Sequence, residues 1–126
     1  MSEPQYEIRV HSDTQYVEEQ SDPDGGRYVF AYTITIENTG GIAAQLIGRR
    51  WLITDAGGKV QEVQGAGVVG EQPVIEPGAS YQYTSAAMLE TPVGSMQGSY
   101  EMLASDGVRF DADIPVFTLS VPRLLH

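Results

Sequence analysis

Hydrophobic and polar residues alternate along much of the chain, most sharply from Tyr28 to Ile36. There Tyr28, Phe30, Tyr32, Ile34 and Ile36 fall on one side, and Val29, Ala31, Thr33, Thr35 and Glu37 on the other. That period of two is what a strand imposes, because successive side chains leave opposite faces. The same period sets Ile8 and Val10 against Glu7, Arg9 and His11, and Val108, Phe110, Ala112 and Ile114 against Arg109, Asp111 and Asp113. Tyr81 with Tyr83, Tyr100 with Met102 and Ala104, and Phe117 with Leu119 and Val121 predict three further strands. From Ala43 to Thr54 the phase breaks, since Arg49 falls in step with Ile47, Trp51 and Ile53, and Arg50 with Leu46 and Leu52. A bulge near Gly48 restores a two-faced strand. A helix there would hold Gly48 in its interior and stand alone among strands.

Turn-forming residues punctuate these segments at Ser21–Gly26, Asn38–Gly41, Asp55–Gly58, Glu76–Gly78 and Asp106–Gly107. Seven to eight short strands with one tryptophan in the third predict an all-β chain: an antiparallel β-sandwich of immunoglobulin or fibronectin type III kind. A closed barrel is the rival architecture. With 126 residues and no internal repeat, the chain is expected to form a single domain over 1–126, its core spanning about residues 6–122.

Composition narrows the functional classes. Without cysteine there are no disulfides and no thiolate metal sites. Seventeen acids against seven bases give a net charge of -10 and a pI near 4.3, which repels phosphate backbones and anionic membranes, so neither nucleic acid nor membrane is an expected partner. No apolar run is long enough for a signal peptide or a membrane span, and the chain is expected to be cytoplasmic.

One motif carries candidate chemistry. Gly65-Ala-Gly-Val-Val-Gly70 has the G-x-G-x-x-G spacing of a pyrophosphate-binding loop, whose mechanism needs a helix N-terminus after the glycines. Here Pro73 and Pro77 follow closely and prevent one. The glycines are therefore expected to serve a long bent connection between sheets, although successive backbone N–H groups can still form an anion nest. Arg49 and Arg50, beside the sole tryptophan and followed by Lys59, form a local basic patch against the global charge. Either arginine can equally stack on Trp51 or pair with a carboxylate across the sheet. Asp13, Glu18, Glu19, Asp22 and Asp24 form a base-free acidic stretch that reads as a solvated edge rather than a cation site. His11 and His126 lie in no ligand spacing, and no serine sits in a nucleophile elbow, so catalysis has no support and no metal site is expected.

A co-linear set of segments resembles the bacterial ApaG family: Arg49-Arg-Trp-Leu-Ile-Thr-Asp55, Glu62 to Pro73, Pro77-Gly78, Tyr81 to Ser85, Thr91 to Met102 and Asp113-Ile-Pro-Val-Phe117. The likeness runs from about Tyr6 to His126. It implies a fibronectin type III-like sandwich, a link to cobalt resistance and magnesium efflux, and a gene neighbouring that of a diadenosine tetraphosphate hydrolase. It also implies protein binding, since similar domains in a eukaryotic F-box protein and a polymerase-delta-interacting protein serve as partner-binding modules. Two positions depart from the family pattern: Ala66 stands where an acid is frequent, and Arg50 where an aromatic residue or histidine is frequent.

Two functions are therefore expected in competition. The first is a non-enzymatic protein-interaction domain with an unidentified protein partner, working through Trp51, Val68, Val69, Val74 and Ile75. The alternative is a nucleotide-binding protein that takes ATP or diadenosine tetraphosphate, with Mg2+ accompanying the nucleotide, at Gly65, Gly67, Gly70, Arg49 and Arg50. No resident cofactor is expected in the first reading, and the chain is expected to be a monomer or small homo-oligomer.

Overall fold

A computed structural model describes residues 5–122. The alternating segment of the sequence becomes β2 (Tyr28–Asn38), which pairs antiparallel with β1 (Ile8–Tyr16) on one side and β6 (Ser80–Leu89) on the other. A second sheet has the order β4 (Val60–Ala66), β3 (Ala44–Asp55), β7 (Val93–Ala104), β8 (Arg109–Ser120), and the short β5 (Val74–Ile75) also pairs with β3. The two sheets stack as a fibronectin type III-like sandwich, as the alternation predicts. Two single-turn 3-10 helices, Glu18–Gln20 and Pro23–Gly25, interrupt the β1–β2 connection. No helix among the described residues is long and apolar enough to cross a membrane. His126 lies outside the described residues.

Inward residues of both sheets make one core around Phe30, Ile34, Ile36, Leu46, Trp51, Met96, Tyr100 and Leu119. Such apolar burial stabilises by about 25 cal/mol per Å² removed from water. Trp51 stands at its centre with its ring edge-on to Tyr32, Tyr100 and Phe117, at centroid distances of 5.5, 6.3 and 5.8 Å. Among the described residues the one fully buried polar side chain outside the aromatics is Asn38, and it ties three segments together. Its amide donates to the carbonyls of Ile42 and Ile75, both at 2.9 Å, and its Oδ1 accepts from Gly40 N–H.

The phase break in β3 is a bulge: Leu46 faces Met102 and Gly48 faces Glu101, leaving Ile47 as the extra residue. The structure corrects two expectations. The segments Val108–Ile114 and Phe117–Val121 are not separate strands, because β8 runs through both. A second bulge sets Pro115 and Val116 against the single interval between Met96 and Gly98, so Ile114 and Phe117 both point inward although three residues apart. The bent connection from Gly65 is in part strand, since Gly65 and Ala66 complete β4 and pair with Arg49 and Gly48.

Among the edge strands, β1 carries Arg9, His11 and Asp13, β4 carries Glu62, and β8 carries Arg109, Asp111 and Asp113. The ten residues of β6, which pairs only with β2, include no charge, no proline and no glycine.

Candidate functional site

The glycine segment is organised by the bulge in β3. An extra residue in a strand leaves a carbonyl without its ladder partner, and Ile47 O is taken up by Gly67 N–H at 2.8 Å and by Gln72 Nε2 at 2.9 Å. Gly67 has φ 61, and a Cβ there would run into the carbonyl of Glu71, so glycine is required. The chain then closes a two-residue hairpin in which Val68 and Glu71 exchange N–H···O bonds, both 2.8 Å, across Val69 and Gly70. Both central residues have positive φ, 43 for Val69 and 81 for Gly70, the mark of a type I′ turn. The N–H groups of Gly67, Val68 and Glu71 are thus donated to carbonyls within the fold. A phosphate cradle would need them free and convergent.

The two arginines separate across the sheet. Arg49 shares the inward phase of Trp51 and lays its guanidinium over Gly65, where an added Cβ would sit 2.7 Å from Nη1. From there Nη1 donates to the carbonyls of Ala66 at 3.1 Å and Gly67 at 2.9 Å. Arg50 points outward and holds Glu62 Oε2 through Nε at 3.0 Å and Nη2 at 2.7 Å, the cross-sheet carboxylate pair that its position allows. Both arginines border a shallow groove of about 640 Å³ together with Gly65, Ala66, Glu101 and Asp111. Glu101 pairs with Arg109 at 2.9 Å. With Glu62, Glu101 and Asp111 set against the engaged guanidiniums of Arg49, Arg50 and Arg109, a polyphosphate entering this groove would meet as much negative as positive charge.

Beneath Arg49 lies a pair that the sequence does not signal. Tyr83 and Tyr100 join hydroxyls at 2.6 Å inside the core. Burial pushes both phenols well above their ordinary 10.0, and at Tyr100 the neighbouring Tyr83 adds to the rise, while the Arg49 charge acts weakly the other way. An unfolded chain sheds these protons near pH 10 and the folded one retains them, so this contribution to stability is complete below pH 10 and falls above it. Phenolate absorbance from the pair is expected to emerge only with loss of the β-sheet circular dichroism signal. The double variant Tyr83→Phe, Tyr100→Phe should remove that delayed step, and ionisation of the pair in the intact sandwich would contradict the assignment.

Of the residues expected to face a partner, three do not. Trp51, Val68 and Ile75 go into the core, each 2% exposed or less, because the bulge turns Trp51 inward and the type I′ turn tucks Val68 under its tip. Val69 and Val74 are exposed, at 56% and 58%. His11 is an exposed residue of β1 opposite Thr35. Asp13 lies on β1 and Glu18, Glu19, Asp22 and Asp24 on the loop after it. Among the described residues no group of three or more His, Cys, Asp or Glu side chains converges as a metal site.

Comparison with known proteins agrees over nearly the whole chain. The family model described as the ApaG domain matches residues 18–104. Protein ApaG of Thiobacillus denitrificans is 63% identical over 121 residues, covering 96% of this chain and 95% of that one. Protein ApaG of Pseudomonas aeruginosa is 60% identical over 126 residues, with both chains fully covered. The crystal structure of a Bordetella pertussis protein described as ApaA superposes with a TM-score of 0.93 at 47% identity, covering 96% of this chain and 98% of that one.

Proposed function

The chain belongs to the ApaG family, and on that premise we propose that it is a non-enzymatic protein-interaction domain whose contact surface is the hairpin tip at Val69. The observation that carries this reading is the backbone of Val69. A β-branched residue at φ 43 is sterically costly, by about 1–2 kcal/mol for the left-handed region, and glycine or asparagine would relieve the cost. Its side chain contributes little packing in return, being 56% exposed. Strain held at an exposed apolar residue is a mark of a functional position. Val74 on β5 is a second exposed apolar residue of the same connection. In this reading the family's link to cobalt resistance and magnesium efflux runs through the partner protein.

Val69→Asn tests the idea in two directions. Asparagine accepts the left-handed conformation, so the unfolding free energy is expected to rise by about 1 kcal/mol. Partner contact should fall: a photo-crosslinking residue at position 69 is expected to trap a discrete protein in cells, competed by the unsubstituted chain but not by the Val69→Asn variant. The same crosslinker at exposed Val116 on β8 should not trap it. Calorimetric titration with ATP and diadenosine tetraphosphate, with and without Mg2+, is expected to give no heat at millimolar ligand. Nucleotide heat that Arg50→Ala abolishes, with no crosslink at position 69, would reverse the reading.

A further inference from the structure

At one end of the sandwich the β1–β2 loop, the β6–β7 turn and the segment after β8 enclose a groove of about 1050 Å³. Its walls are mostly apolar, made by Tyr16, Pro23, Tyr28, Pro92, Val93 and Val121. None of these residues belongs to the glycine segment or to its hairpin tip.

The walls are held in place before anything binds. Ser21 Oγ donates to Val17 O at 2.8 Å and accepts from Val29 N–H at 2.9 Å, fastening the loop to β2. Asp22 and Arg27 exchange two backbone bonds of 2.8 and 2.9 Å at the base of the same loop. Across the groove, Val121 N–H donates to Pro92 O at 3.1 Å, and the Tyr16 ring rests against Phe30 at 5.5 Å. A ligand entering ordered walls loses less to loop ordering on binding.

The chemistry of the lining is specific. Tyr16 and Tyr28 turn aromatic surface into the groove, and among the described residues neither hydroxyl has a hydrogen-bond partner. The rim is acidic: Glu18 lines it, and Glu19, Asp22 and Asp24 follow on the same loop. Of the nearby bases, Arg27 turns its Nε to Gln20 O at 3.3 Å, and Lys59 is paired with Glu90.

We propose that this groove binds an extended, proline-containing segment of another protein, flanked by Lys or Arg. A polyproline-type helix has no internal hydrogen bonds, so its carbonyls need outside donors, which the two tyrosine hydroxyls supply. Its prolyl rings pack between aromatic and prolyl walls at little conformational cost. Basic flanks complete the match by facing the acidic loop, which sets the direction of the segment and discriminates against acidic competitors.

Fluorescence anisotropy decides it with the intact chain and three labelled peptides: a Pro-Leu repeat flanked by arginines, the same repeat flanked by glutamates, and an arginine-flanked version with alanine for every proline. The first is expected to bind about ten-fold more tightly than either of the others, a gap of about 1.4 kcal/mol. Val93→Asp adds negative charge yet removes apolar wall, so a loss of about ten-fold for the first peptide would identify the groove rather than the net charge as the cause. Glu18→Lys, at an exposed loop position that leaves the core untouched, should narrow the preference for arginine over glutamate flanks even if the Val93 variant folds poorly. Val69→Asn should change nothing, which separates this site from the hairpin tip. Equal binding of the three peptides, or none at millimolar protein, overturns the proposal. So does binding that emerges only after removal of residues 123–126, which would give the groove to the chain's own C-terminal residues. A self-association that Val93→Asp abolishes would give it to a second copy.

Discussion

Trp51→Ala is expected to cost about 3–5 kcal/mol of stability, a large part of the roughly 5–15 kcal/mol that holds a typical domain together. The indole is the common neighbour of Tyr32, Tyr100 and Phe117, and edge-to-face pairs contribute about 0.5–1.5 kcal/mol each beyond burial. Alanine would leave a cavity between two hydrogen-bonded sheets whose backbones cannot close over it. One atom of the indole is a liability, however: among the described residues Nε1 is buried without a hydrogen-bond partner, and an unsatisfied donor costs about 1–3 kcal/mol. Trp51→Phe sheds that donor and keeps an aromatic ring, so it should cost less than half as much as the alanine. Because Trp51 is the sole tryptophan, urea unfolding must be followed by circular dichroism. Equal losses for the two variants would show that the retained phenyl ring recovers nothing, and would overturn cavity formation as the cause of the loss.

Gly98→Ala is expected to be comparably damaging although it adds a single methyl group. Gly98 sits in β7 opposite Trp51 of β3 and Ile114 of β8, beside the bulge in β8. A Cβ there would penetrate the Arg50 carbonyl oxygen and lie 3.0 Å from its carbon and 3.2 Å from Trp51 Cα. These are backbone atoms of the adjoining strand, so relief requires parting β7 from β3. A cost of about 3 kcal/mol follows, at the upper end of overpacking. Gly41→Ala is the matched control, since its Cβ would meet nothing within 4 Å, and a change within about 0.5 kcal/mol is expected. Similar denaturation midpoints for the two variants would rule out close strand approach as the reason for Gly98.

The sequence discloses the sandwich because burial writes itself as alternation, and it discloses the β3 bulge because Arg49 and Arg50 cannot both keep phase with the residues around them. Legibility fails where that rule relaxes. β4 is an edge strand exposed for most of its length, so Val60–Ala66 carries no two-faced pattern and its Gly65 reads as the start of a connection. Pro115 reads as a strand end, yet a bulge accommodates a proline within a continuous strand. At the glycine segment the residue types are those of a phosphate loop, but their roles follow from a neighbour: Gly67 serves the Ile47 carbonyl and Gly65 makes room for the Arg49 side chain. The sign of φ at Val69 is least legible of all, because valine is among the last residues that propensity would place in a left-handed turn.

The uncharged edge of β6 gives the acidity of the chain a second meaning. A strand edge offers unpaired N–H and C=O groups to any other extended chain, and proteins commonly block such edges with charge, proline or bulges. On β1, β4 and β8 that protection is local. β6 has none, so its defence is collective: the mutual repulsion of molecules each carrying a net charge of -10. Toward the isoelectric point near 4.3 that repulsion fades while the sandwich still presents the same edge. Sheet-to-sheet association through β6 then becomes the characteristic failure of this molecule in acid, with solubility lost ahead of fold.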